Sequence, residues 1–271
     1  MNRSPHVRPN QRLRTYVLMP AALFLLIVVS GCANLDARSP KLQAIKTVGV
    51  ISAVGDELTL TKAGLTGFEN HDQSVSIEPW GIDDLIVSRA GALLSRRFQV
   101  QPVTYKRAAF AALERGAPIA GPIAVPIFVG NRMRDDPIKA LVRTQVSPQG
   151  LDAYVVITKA KTKFGSRGHI ITGIGVINRA AFFDSHAQAH ALYMIRVIDG
   201  HDFSVIDTKS AAPVDNTEIV RLAGPSRTVD DSLLPTADDA ARNEKLKAAI
   251  IDLIERSLPT TLQDLRLVNP S

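Results

Sequence analysis

The chain has 271 residues, 45% of them apolar, with 32 lysines and arginines against 26 aspartates and glutamates. That is enough apolar material for a real core in one or two domains, which excludes both a disordered chain and a miniprotein. A single cysteine excludes a disulfide framework and a cysteine-based zinc site. The formal charge of +6 invites a nucleic-acid reading, but Arg3, Arg8, Arg12 and Arg14 stand in the first 31 residues with no acid among them, leaving 28 basic against 26 acidic residues in the rest. The basic balance therefore belongs mostly to a leader, and no nucleic-acid partner is expected.

Residues 1–16 are polar, and Val17 to Val29 is an apolar run of 13 residues interrupted only by Pro20. A bilayer crossing needs about 20 residues, so the run suits the hydrophobic region of a signal peptide better than a transmembrane helix. It ends in Val29-Ser30-Gly31-Cys32, and Cys32 is the sole cysteine. This resembles the lipobox of bacterial lipoproteins: an aliphatic residue, two small residues that admit the peptidase, and the cysteine that is acylated. Val29 stands where leucine is commoner. The resemblance implies removal of 1–31 by cleavage between Gly31 and Cys32, a lipidated tether over 32–44, and a periplasmic domain over 45–271. Ala33, in place of an inner-membrane retention aspartate, implies sorting to the outer membrane in a Gram-negative cell. The competing reading is a signal-anchor helix with an incidental buried cysteine.

In the body, Val48 to Val54 is a β-branched strand run ended by Gly55-Asp56, with Leu58 to Thr61 alternating after it as a hairpin partner and Val75 to Ile77 as a third strand. From Ile82 the apolar positions 82, 85, 86, 90, 93 and 94 share one helical face, with Asp83 and Asp84 at the positive end. Phe98 to Val100 reads as strand. Thr104 caps a second predicted helix through Leu113 that carries Tyr105, and Asp136-Pro137 starts a third reaching Val146. Ala153 to Thr158, Ile170 to Ile177 and Ala191 to Ile198 read as strands, and Asp199-Gly200 turns the last into Phe203 to Ile206. The 210–235 stretch reads as a mobile loop. A final helix is expected from Thr236 to Pro259, buried along Leu246, Ala249, Ile250 and Leu253. Strands, helices and hairpins in this order predict an α+β or mixed α/β layered domain with about four helices.

Catalytic signatures are sparse. No nucleophile-elbow, phosphate-loop or S-x-x-K pattern occurs. Gly173-Ile174-Gly175 opens like a dinucleotide fingerprint, but Asn178 occupies the third glycine position, so close backbone approach is the better account and no cofactor is expected. His186 and His190 would share a metal on a helix; the strand-like residues after them put the pair about 13 Å apart, so a solvated strand edge is expected instead of a metal site. The paired aspartates at 83, 135, 230 and 238 read as helix-start residues. Lys159, Lys161, Lys163 and Arg167 form a basic stripe that guards a strand edge or meets anionic headgroups.

The least ordinary stretch is Ala117 to Gly130, uncharged, with Pro118, Pro122 and Pro126 at every fourth position. Its prolines forbid a regular helix, so Ile119, Ile123, Ile127 and Phe128 must be buried from a loop, within the domain or against a subunit, an envelope partner or lipid. The strand–helix–strand opening together with the hairpin from Tyr193 to Asp207 resembles periplasmic accessory lipoproteins of the curli-secretion and penicillin-binding-protein-activator types, whose α+β domains assemble or regulate envelope machinery. The functional expectation is an outer-membrane-anchored lipoprotein with a non-enzymatic binding or assembly role. Two alternatives stand beside it, a periplasmic hydrolase using His169, His186 or His190 with a carboxylate, and a small-ligand or lipid carrier.

Overall fold

The β-branched run beginning at Val48 does form a strand, but its partners are distant in sequence. The computed structural model describes residues 40–64, 71–116, 137–164, 169–179, 186–214 and 222–269, and Lys41–Ser271 forms one compact unit. In chain order, helix α1 (Pro40–Ala44) precedes strands β1 (Thr47–Ala53), β2 (Glu57–Ala63) and β3 (His71–Ser76), helix α2 (Ile82–Leu94), strands β4 (Gln99–Gln101) and β5 (Thr104–Tyr105), and helix α3 (Arg107–Gly116). Helix α4 (137–145) follows. The remaining strands are β6 (Val146–Ser147), β7 (Ala153–Lys159), β8 (Lys161–Phe164), β9 (His169–Thr172), β10 (Ile174–Arg179), β11 (His186–Ala191), β12 (Tyr193–Asp199), β13 (Val205–Ser210) and β14 (Ser226–Val229). Helix α5 (Glu244–Asp264) closes the unit. The fold is α+β, with five α-helices among the described residues, one more than the sequence suggests.

Two five-stranded sheets carry the fold, ordered β13-β12-β7-β1-β4 and β14-β11-β10-β2-β3. β1 pairs in parallel with β4 and β7, while β2 pairs with β3 and β10, so β1 and β2 are not a hairpin. The reason is local. The carboxylate of Asp83 accepts the backbone N–H groups of Val54 and Gly55 at 2.7 and 3.2 Å and the Ser52 hydroxyl at 2.6 Å, bending the link out of the first sheet. Asp83 is thus a buried clamp, 2% exposed, where the sequence predicts an ordinary acid at a helix start.

Helix α2 buries Ile82, Ile86, Ala90 and Leu94, the stripe its spacing predicts. It shares one core with α5, with Val48, Val50, Val155 and Ile157 of the first sheet, and with Leu58, Ile174 and Val176 of the second. Alanines at 187, 189 and 191 keep the β11 face low where α5 packs on it. The other face of the first sheet packs Ile51, Tyr154 and Val156 against Phe110 of α3 and Ile138 and Val142 of α4. On the far face of the second sheet, Ile177 packs with Phe164 and Ile171 of the β8–β9 hairpin.

Several boundaries move. Tyr105 belongs to β5 instead of a helix because its hydroxyl brackets Ser52, accepting from the amide at 3.0 Å and donating to the carbonyl at 2.9 Å. The strand expected over 170–177 breaks into β9 and β10 at Gly173, whose φ of 61° suits glycine. β12 and β13 form the expected hairpin around Asp199-Gly200. The last helix begins eight residues later than expected, where Asn243 caps it by accepting from the Leu246 amide at 3.0 Å. Pro259 lies inside that helix instead of ending it; Leu258, Thr261 and Leu262 are buried around it, and that packing outweighs one missing ladder donor. Within 210–235, expected to be a loop, β14 pairs with β11, and 215–221 lie outside the described residues.

Candidate functional site

A row of polar side chains, with a buried histidine among them, lies on the far face of the second sheet. Alternation puts Glu57, Thr59 and Thr61 of β2 on one face, directly opposite Ser76, Ser74 and Asp72 of β3. One row of the sheet runs Ser226, His190, Gly175, Thr59, Ser74 across five strands. Gly175 is required here. A Cβ on it would lie 2.5 Å from the Thr59 carbonyl oxygen and 2.6 Å from Nε2 of His190, so the imidazole occupies the space a side chain would take.

His190 is completely buried. Its Nδ1 lies 3.0 Å from the Gly173 carbonyl oxygen, and because a carbonyl can only accept, the proton sits on Nδ1. Nε2 is then a bare lone pair, with no hydrogen-bond partner among the described residues. Burial pushes the imidazole pKa down to about 4, against the opposing pull of the Gly173 bond and the Asp72 charge. The histidine is therefore neutral at ordinary pH. β11 is a strand, as its sequence predicts, but it lies between β10 and β14, so the solvated edge expected for His186 and His190 is overturned. Alternate alanines face α5, and Gln188 and His190 on the other face are buried as well. The side chain of His186 lies outside the described residues.

His169 of β9 reaches Asp72 across this face, Nε2 to Oδ1 at 3.1 Å. The Thr61 hydroxyl donates to the same oxygen at 2.7 Å. A nucleophilic triad needs the hydroxyl on the imidazole and the carboxylate behind it. Here both groups converge on one carboxylate oxygen, which is the geometry of a staple joining β2, β3 and β9.

The lysine stripe also resolves differently. Lys159 is the end of central strand β7, 4% exposed, and its ammonium pairs with Asp56 and, at 3.3 Å, with Glu57. Its stem covers Gly173, where a Cβ would meet the Lys159 Cδ at 3.0 Å. Ala160 interrupts the alternation, Lys161 and Lys163 sit half-buried on β8, and Arg167 lies outside the described residues. Lys159 therefore guards no edge. His201 occupies the β12–β13 turn, as expected, its amide donating to Asp199 at 2.9 Å.

Cys32, Ile119, Ile123, Ile127 and Phe128 all lie outside the described residues. Among the described residues, no group of three His, Cys, Asp or Glu could hold a metal ion, and no helix is long and apolar enough to cross a membrane. The sequence reading missed the His190–Gly175 fit and the Asp72 staple. The alternation of alanine with Gln188 and His190 was the available signal, since alanine on one face marks burial there and leaves the other face to be covered.

No protein-family model matches the sequence, and no curated protein matches it. Solved structures similar to it include the lipoprotein GNA1162 of Neisseria meningitidis, at 11% identity over 74% of this chain and 97% of that one, with a TM-score of 0.26. Protein XCC0632 of Xanthomonas campestris, described under DUF330, aligns at 11% identity over 82% and 88%, with a TM-score of 0.30. A PelC dodecamer of Paraburkholderia phytofirmans aligns at 10% identity over 78% and 89%, with a TM-score of 0.23.

Proposed function

We propose that the chain is an outer-membrane lipoprotein, anchored through acyl chains on Cys32, whose α+β body has a non-enzymatic binding or assembly role in the envelope. One observation carries the reading: the sole cysteine stands directly after a 13-residue apolar run, in Val29-Ser30-Gly31-Cys32. A chance cysteine has no reason to fall at that junction. Two or more acyl chains hold a protein stably on a bilayer, so the body needs no crossing segment of its own. The chemistry of the body supports a scaffold, because several of its polar groups are spent on the fold: buried Asp83 clamps a strand link, Asp72 on the surface staples three strands, and buried Lys159 is paired. The uncharged 117–130 stretch is the partner surface in this reading, with Ile119, Ile123, Ile127 and Phe128 as its anchors.

The test has two arms. Palmitate should label the wild-type protein and not the Cys32→Ala variant; label persisting on that variant would sink the anchor. The full-length lipoprotein extracted in mild detergent should then run as a defined oligomer or with a stoichiometric partner, and a clean monomer that hydrolyses ester or peptide substrates would overturn the scaffold reading in favour of the hydrolase.

A further inference from the structure

Between α2 and α5 the surface opens into a cleft of about 400 Å³. Arg89 and Leu93, four residues apart on one face of α2, line it together with Arg96, which lies in the turn just beyond the helix. Leu258 and Pro259 of α5 complete an apolar floor. Arg89 is held by Glu255, its Nε at 2.9 Å and its terminal nitrogen at 2.7 Å from the same oxygen. Arg96 differs: it is exposed and makes no hydrogen bond or ion pair among the described residues. A guanidinium free of carboxylate above apolar side chains suits an anionic group that is itself attached to an apolar body.

The location narrows the occupant. Arg97, the next residue, stacks on Phe98 at 4.7 Å and donates to the backbone carbonyls of Leu42 in α1 and Arg266 just beyond α5. The Arg96 end of the cleft is therefore one residue from the contact with α1, the first described element after Cys32. Pro40 follows Cys32 by eight residues, a reach of at most about 29 Å. Lys41, in α1 itself, is already engaged by Asp199 and Asp202.

We propose that the α2–α5 cleft docks on anionic phospholipid headgroups of the membrane that holds the acyl chains of Cys32, with Arg96 as the headgroup contact. The inference rests on the lipoprotein reading. The tether keeps the cleft close to the bilayer, and the cleft sets which side of the body faces it. An arginine near an anionic surface shifts such an equilibrium about fivefold, and salt screens the attraction.

Cys32 is the only cysteine and is consumed by acylation in this reading, so Ser95→Cys places a single reactive thiol on the exposed residue beside Arg96. The lipidated full-length protein carrying a fluorophore there is mixed with phosphatidylcholine vesicles, with or without phosphatidylglycerol, containing a headgroup nitroxide quencher. The expected result is flotation with both vesicle types but strong quenching only with phosphatidylglycerol, lost at high salt. Arg96→Ala should reduce the docked population about fivefold, Arg96→Glu should abolish it, and Arg96→Lys should keep most of it. Flotation with quenching that ignores phosphatidylglycerol or Arg96→Glu overturns the docking proposal alone. A protein that fails to float overturns the anchor and the docking together.

Discussion

Acid should loosen this protein through one buried histidine, well before its carboxylates protonate. His190 has a pKa of about 4 in the folded state against an ordinary value of 6.5. Between those values the unfolded chain binds a proton that the folded chain refuses, so stability falls as pH drops through the window and is fully present above it. The difference is about 2.5 pKa units, and at about 1.4 kcal/mol per unit the loss from pH 7 to pH 4 is about 3 kcal/mol. For a domain of ordinary stability, about 5–15 kcal/mol, that is a large share. The only tryptophan, Trp80, is buried and donates to the Ala241 carbonyl at 2.7 Å, so its fluorescence reports unfolding. Urea titrations at steps from pH 7 to pH 4 should show the decline in the wild-type protein and a nearly flat profile in His190→Gln, which keeps a donor for the Gly173 carbonyl and cannot titrate. A His190→Gln profile that falls in parallel with the wild type would refute the assignment.

Two further substitutions probe the same architecture by urea unfolding at neutral pH. Gly175→Ala should cost about 1–3 kcal/mol by overpacking, and removing the imidazole as well, in Gly175→Ala/His190→Ala, should not restore stability, because the clash with the Thr59 carbonyl remains. Asp83→Ala leaves the Ser52 hydroxyl and the Val54 and Gly55 amides without their acceptor; at about 1–3 kcal/mol for each buried unmet group, a loss of at least about 3 kcal/mol is expected, and Asp83→Asn, which keeps an acceptor oxygen, should lose less.

Local periodicity made α2, β7 and the Asp199-Gly200 hairpin legible, because each is specified by residues within its own length. Ile82, Ile86, Ala90 and Leu94 need no knowledge of the rest of the chain to declare a helical face. Pairing is another matter. Nothing in Val48–Thr61 records that β1 joins β7 across a hundred residues while β2 joins β10, since alternation states which face is buried and not what lies alongside. Pro259 misled because a helix end and a helix interior buried on several sides share the same local pattern. Lys159 and His190 misled for a related reason: a lysine or histidine reads as solvated until Asp56, Glu57 or the Gly173 carbonyl is brought beside it by tertiary structure. Cys32 and the 117–130 isoleucines lie outside the described residues, so the roles proposed for them rest on spacing and composition alone.

Where the two sheets exchange strands, three backbone amides form a closed ring: Ala160 donates to Leu192, Leu192 to Gly173, and Gly173 to Ala160, at 3.0, 2.8 and 3.0 Å. Each of those residues is the link between a strand of one sheet and a strand or hairpin beyond it. Peeling away the second sheet would therefore break the ring and expose Lys159 and His190 at once, and peeling the first would do the same from the other side. Partial opening has no cheap place to begin there. The three ring amides should exchange with solvent deuterium only when the whole body unfolds, so that pulling, heating or proteolysis meets one cooperative block and not two separable layers.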